Sequence, residues 1–121
     1  MQCPYMMPIP PQIPEQTLED ASRVYDVMMR CLELFVDKNI DYGSSWKACG
    51  LPGVLVRLSD KIQRALNLSK NGTELRVKTE GLKDTLMDAI NYLAMAVVLL
   101  ETDAQRENED TQRPAEVLGG F

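Results

Sequence analysis

A chain of 121 residues that is 45% hydrophobic is sized for one domain with a modest core. Eighteen Asp and Glu against thirteen Lys and Arg leave a net charge of -5, which weighs against a nucleic-acid backbone or an anionic membrane as the main partner. No histidine is present, so Ser/His/Asp and Cys/His nucleophile arrangements are excluded, and any catalysis must rest on carboxylates, lysine, tyrosine or a metal.

The chain opens MQCPYMMPIPPQIP, whose apolar residues are interrupted by Pro4, Pro8, Pro10, Pro11 and Pro14 and which lacks a basic leader. Residues 1–16 read as an extended, Pro-rich arm rather than a signal peptide. Cys3, Cys31 and Cys49 are odd in number and far apart, with no CxxC pair, which suits reduced thiols in the cytoplasm. The longest apolar run, residues 92–100, is nine residues, well short of the roughly 20 that span a bilayer. A soluble protein without a membrane partner is expected.

A first helix is predicted over residues 17–38, with Thr17 and Asp20 as an approximate capping box. Ala21, Val24, Met28, Cys31 and Phe35 form its apolar seam, with Tyr25 and Leu32 alongside, and the charged residues fall opposite. Residues 39–53 carry Asp41-Tyr42-Gly43-Ser44-Ser45-Trp46 and Gly50-Leu51-Pro52-Gly53, turn chemistry around a single tryptophan, and read as an ordered loop. A second helix is predicted over residues 52–68, with Leu51, Val54, Leu55, Leu58, Ile62, Ala65 and Leu66 on one side. Arg57, Asp60, Lys61 and Arg64 gather on the other. After Asn71-Gly72 a third helix is predicted over residues 79–101, and residues 103–121 read as a polar tail.

These elements define an all-α domain over residues 17–102, a bundle of about three long helices. Seams this long leave too much apolar surface for a small monomer, and the third helix is apolar all round from Tyr92 onward, so assembly into a homo-oligomer is expected.

At about 100° per residue, Glu80, Asp84, Asp88 and Asn91 fall within an arc of roughly 80° on the third helix. The same face continues into Met95, Val98 and Leu99, so the acids stand at the edge of a core. Two carboxylates one turn apart repel each other unless a cation lies between them, and a hard ion such as Mg²⁺, completed by phosphate oxygens and water, meets that need. A solvated stripe, or an ion-pair ladder with Arg57 or Arg64, accounts for the same spacing. Arg57, Lys61 and Arg64 on the second helix supply the opposite charge and can clamp a phosphate or form an ordinary polar face. Tyr42 and Trp46 suit stacking on a base, and Trp46 equally suits a core plug. Glu33 and Asp37 read as solvated.

The ordered set Lys38-x-x-Asp41-Tyr42-Gly43-Ser44-Ser45-Trp46, Asp60-Lys61-x-x-Arg64 and Asp84-Thr85-Leu86-x-Asp88-x-x-Asn91-Tyr92 resembles the nucleotide modification associated domain 1 family of phages and bacteria, over about residues 33–100. That family is similar to the MazG-like nucleoside triphosphate pyrophosphatases, all-α dimers or tetramers that use Mg²⁺ held by helix carboxylates. Those enzymes carry an EExxE motif; this chain instead spaces its acids as Glu80, Asp84 and Asp88. The resemblance implies a nucleotide or other phosphorylated small molecule as partner, with no direct nucleic-acid contact. It implies Mg²⁺ on Glu80, Asp84 and Asp88, phosphate on Lys61 and Arg64, and Asp41, Tyr42, Trp46, Asp60 and Asn91 around the nucleotide. Hydrolysis to a monophosphate, sequestration or sensing without turnover, and a helical adaptor role stand as the functional alternatives.

Overall fold

The computed structural model describes residues 12–70 and 75–112, with side chains described for residues 12–70 and 81–111. All regular structure among the described residues is helical: α1 (Glu15–Tyr42), α2 (Ser45–Lys70) and α3 (Leu75–Gln112). The all-α expectation holds at that level. The Pro-rich arm, apart from its last residues, and the end of the polar tail lie outside the described residues. The chain divides into two units, Met1–Gly43 and Ser44–Phe121.

The first unit contains α1, which is longer than predicted at both ends. Pro14 occupies the N-cap without a side-chain hydrogen bond, and its carbonyl accepts from the backbone N–H groups of Thr17 (3.0 Å) and Leu18 (3.2 Å). The proposed Thr17/Asp20 capping box is therefore replaced. Thr17 is already helical, and Asp20 accepts from the Gln16 side-chain amide at 3.1 Å. Glu15 puts a negative charge in the first turn, where the helix dipole favours it. The helix ends at Gly43, whose left-handed φ of 61° lets its N–H bond the Asn39 carbonyl at 2.8 Å. Of the predicted seam, Cys31 is buried and Tyr25 and Phe35 are half-buried, whereas Ala21, Val24, Met28 and Leu32 are exposed.

The expected loop over residues 39–53 is instead mostly helix. Its first residues finish α1, and after a two-residue turn through Gly43 and Ser44, both at positive φ, Ser45 starts α2. The turn chemistry at Gly50 leaves a break inside α2. Gly50 has φ 68° and ψ 179°, a conformation open essentially to glycine alone, and Pro52 resumes the helix where a missing N–H costs nothing. A short helical turn bearing Trp46 and Cys49 thus precedes the main body of α2.

In the second unit α2 and α3 pack on each other. The fully buried positions are small: Val54 and Ala65 on α2, Thr85, Ala89 and Ala96 on α3. Thr85 is compatible with burial because its hydroxyl donates to the Gly81 carbonyl at 2.7 Å. Gly81 faces Leu68, with room for no more than ordinary contact there. The helix α3 runs well beyond residue 101, because Ala104, Gln105, Arg106, Glu107 and Glu109 are good helix formers. By length and composition its Gly81–Thr111 stretch, with an 18-residue window of mean hydropathy 1.3, would suffice to cross a membrane, a property that core helices share.

Candidate functional site

The polar face of α2 follows from spacing alone: residues 57, 61 and 64 recur at steps of four and three and so share one side of a helix. Packing α2 against α3 sets that side beside Tyr92, and Arg57, Asp60, Lys61, Arg64 and Tyr92 line an open cleft of about 330 Å³. Three of the five lining side chains are cations, so the lining carries a net positive charge.

Across it, Lys61 Nζ lies 3.0 Å from Asp88 Oδ2 on α3. The two side chains are 28% and 15% exposed, so the pair is shielded more than an ordinary surface ion pair. An interhelical ion pair to the acidic face of α3, weighed from sequence with Arg57 or Arg64, is thus seen with Lys61 as its cation. Arg57 is exposed, and its pKa is raised above the ordinary arginine value, chiefly by a hydrogen bond with the Tyr92 side chain and by its proximity to Tyr92 and Cys49. Its guanidinium stays charged at any physiological pH.

The structure brings together Asp60, Lys61, Arg64 and Asp88, four of the residues singled out from sequence. Asp84 lies one helical turn before Asp88 and is exposed; Asn91, next to Tyr92, is half-buried. The Glu80 side chain lies outside the described residues. Trp46 is half-buried at the start of α2, with Lys47 Nζ 5.6 Å from its ring centroid, a cation–π distance. Asp41 and Tyr42 belong to the last turn of α1, in the other unit, and both are exposed.

Arg57, expected from sequence as part of the phosphate clamp, and Tyr92, which was not expected as a nucleotide ligand, complete the lining. Arg57 was readable from its place on the Lys61/Arg64 face. Tyr92 was readable from its place four residues after Asp88, but the apolar run it opens concealed a polar role. Among the described residues no group of three or more His, Cys, Asp or Glu stands ready to hold a metal. Asp84 and Asp88 are hard oxygen donors one turn apart, a donor set that fits a Mg²⁺ ion shared with phosphate oxygens and water rather than one caged by protein alone.

An all-α protein with a cation-lined cleft between two long helices, acids on the facing helix, is the class that fold and site define. The chain belongs to the nucleotide modification associated domain 1 family, whose match covers residues 38–100, just over half its length, from the end of α1 to the middle of α3. Every cleft residue falls inside that match. No curated protein and no solved structure matches the chain.

Proposed function

We propose that this protein binds a nucleotide by its phosphates in the α2/α3 cleft and, with Mg²⁺, hydrolyses a nucleoside triphosphate to the monophosphate and pyrophosphate. The observation that carries the reading is the convergence of Arg57, Lys61 and Arg64 on one cleft within the family-matched segment. Arg57 and Arg64 can each present a planar fork to phosphate oxygens, and Lys61 offers a point charge between them. Asp84 and Asp88 would hold Mg²⁺, with Glu80 one further turn towards the N-terminus in the sequence. Such an ion, when bound, neutralises charge on the phosphates and sharpens a water for attack. Asn91 is placed to orient a carboxylate or a ribose hydroxyl, and Tyr92 gives the base or sugar an apolar wall that also bears a hydroxyl. In the reaction, water adds to the α-phosphorus, the bond to the bridging oxygen breaks, and pyrophosphate leaves.

The likeness of this family to MazG-like enzymes, expected from the sequence motifs, is the ground for the hydrolytic reading, for a homo-oligomeric state and for action in the cytoplasm, and the missing EExxE motif weighs against turnover. Cys31 and Cys49, neither of them in a disulfide, suit a reducing compartment. A second reading, binding without turnover, is favoured by the engagement of Asp88 with Lys61, which takes a carboxylate away from a cation.

A thermal-shift screen of ribo- and deoxyribonucleoside triphosphates, with and without Mg²⁺, tests the binding claim, and product chromatography on the hits tests hydrolysis. Monophosphate and pyrophosphate as products support the enzyme; stabilisation without products supports the binding protein. Absence of any nucleotide effect refutes both.

A further inference from the structure

Lys61 has two claims on its charge. It belongs to the cation-lined wall of the cleft with Arg57 and Arg64, yet its ammonium is 3.0 Å from the Asp88 carboxylate. A carboxylate in contact cancels most of the attraction that a single positive charge offers to a second anion. Arg57 differs, since its hydrogen-bond partner is the side chain of Tyr92, which leaves the guanidinium charge available. The Lys61 stem is long and flexible, so its ammonium can change partners without moving α2.

The geometry points to Lys61 as a switched anion ligand: Asp88 holds it in the ligand-free chain, and a divalent cation taken by Asp84 and Asp88 releases it to the phosphates, so that cation and polyphosphate bind cooperatively. This inference rests on the phosphate-and-Mg²⁺ reading of the cleft and adds a coupling between the two ligands. A divalent ion, with twice the charge of an ammonium, would compete for the same carboxylate, the more so when phosphate oxygens complete its shell. The displaced ammonium then lies in a partly shielded cleft beside Asp60, where phosphate oxygens can accept from it, and leaving it without an acceptor is unfavourable. By linkage the effect is mutual. A polyphosphate that draws Lys61 away also removes a competing cation from Asp88.

Calorimetric titration of inorganic pyrophosphate into the full chain, in EDTA and in MgCl₂, gives the test. The parent should bind weakly in EDTA and at least several-fold more tightly with Mg²⁺. Asp88→Asn should bind pyrophosphate in EDTA several-fold more tightly than the parent and gain little from Mg²⁺. Asp84→Asn removes the same charge without uncovering Lys61, so its gain in EDTA should be clearly smaller. Lys61→Met supplies an independent arm that does not depend on Asp88 variants folding; in it the Mg²⁺ enhancement should shrink several-fold. Equal gains from Asp88→Asn and Asp84→Asn would mean that only general charge is at work, and would overturn the switch. So would an Asp88→Asn protein no better than the parent in EDTA, or a Lys61→Met protein with its full Mg²⁺ enhancement. In all three cases the phosphate site itself stands, because the parent still binds. Failure of the parent to bind pyrophosphate or any nucleotide under either condition would remove the site and the switch together.

Discussion

Asp84 and Asp88 carry the same charge one turn apart, yet their surroundings differ, and the difference is measurable without any ligand. Asp88 is 15% exposed and holds Lys61, whereas Asp84 is exposed. Asp88→Asn leaves the Lys61 ammonium, itself 28% exposed, without its carboxylate and should lower stability by about 1 kcal/mol. Asp84→Asn should stay within about 0.5 kcal/mol of the parent or raise stability slightly through lost repulsion. Urea denaturation of the three proteins in EDTA checks the ordering, and equal effects would show that the ion pair contributes nothing at equilibrium. At this scale the sequence was informative about residue type and face. It located Asp60, Lys61 and Arg64 on one wall and Asp88 on the other, because helical spacing alone settles which residues share a side. It did not say which cation meets Asp88, since that depends on the axial stagger of two helices, a tertiary quantity.

For the elements, the break in α2 shows how turn chemistry in a sequence can be right about the backbone and wrong about its extent. Gly43 and Gly50 both adopt positive φ, as a turn reading requires, but each accounts for a residue or two of irregular backbone rather than a long loop. The residues between them form a helical turn and have ordinary propensities, so neighbouring packing decides their state. Space is available at Gly50: an added Cβ would meet Pro52 Cδ at 3.8 Å. Its backbone is the obstacle, because φ 68° with ψ 179° is strained for any other residue. Gly50→Ala should therefore cost about 1–3 kcal/mol in thermal or chemical unfolding. A change under about 0.5 kcal/mol would mean that the break straightens without loss. Helix ends were the least legible feature for a related reason. The first turns of α1 and the last three turns of α3 are polar, so they lack the apolar period from which a helix is read, and good helix formers extend them.

On the scale of the molecule, the exposed apolar side chains carry more information than the buried ones. Val24, Met28, Leu32, Val36 and Ile40 form an unbroken row at steps of four on α1, all of them exposed. On α3, Leu86, Leu93, Val97 and Leu100 are exposed too and, with half-buried Ile90, alternate steps of four and three like the seam of a coiled coil. Rows of this length normally have a partner, and the oligomer expected from sequence would provide one. Sedimentation velocity at micromolar concentration should give a species larger than the 13.6 kDa chain, and Leu93→Glu with Leu100→Glu should shift it towards the monomer. A parent that sediments as a stable monomer contradicts this. Fold class was the most legible property of all, because three amphipathic periods of helical length leave few alternatives. The cation-rich face of α2 was legible too, and the family match places the chain in the nucleotide modification associated domain 1 family.

The most deeply buried positions of α2 and α3, Val54, Ala65, Thr85, Ala89 and Ala96, are all small. Small side chains fix the offset of one helix along another less firmly than large knobs seated in holes do. The Lys61–Asp88 contact at 3.0 Å joins the two helices and adds a feature that favours one offset. The same two side chains would thus act as a dowel for the scaffold as well as chemistry for the cleft. A ligand that draws Lys61 away from Asp88 would therefore also remove one tie between the two walls that shape the cleft.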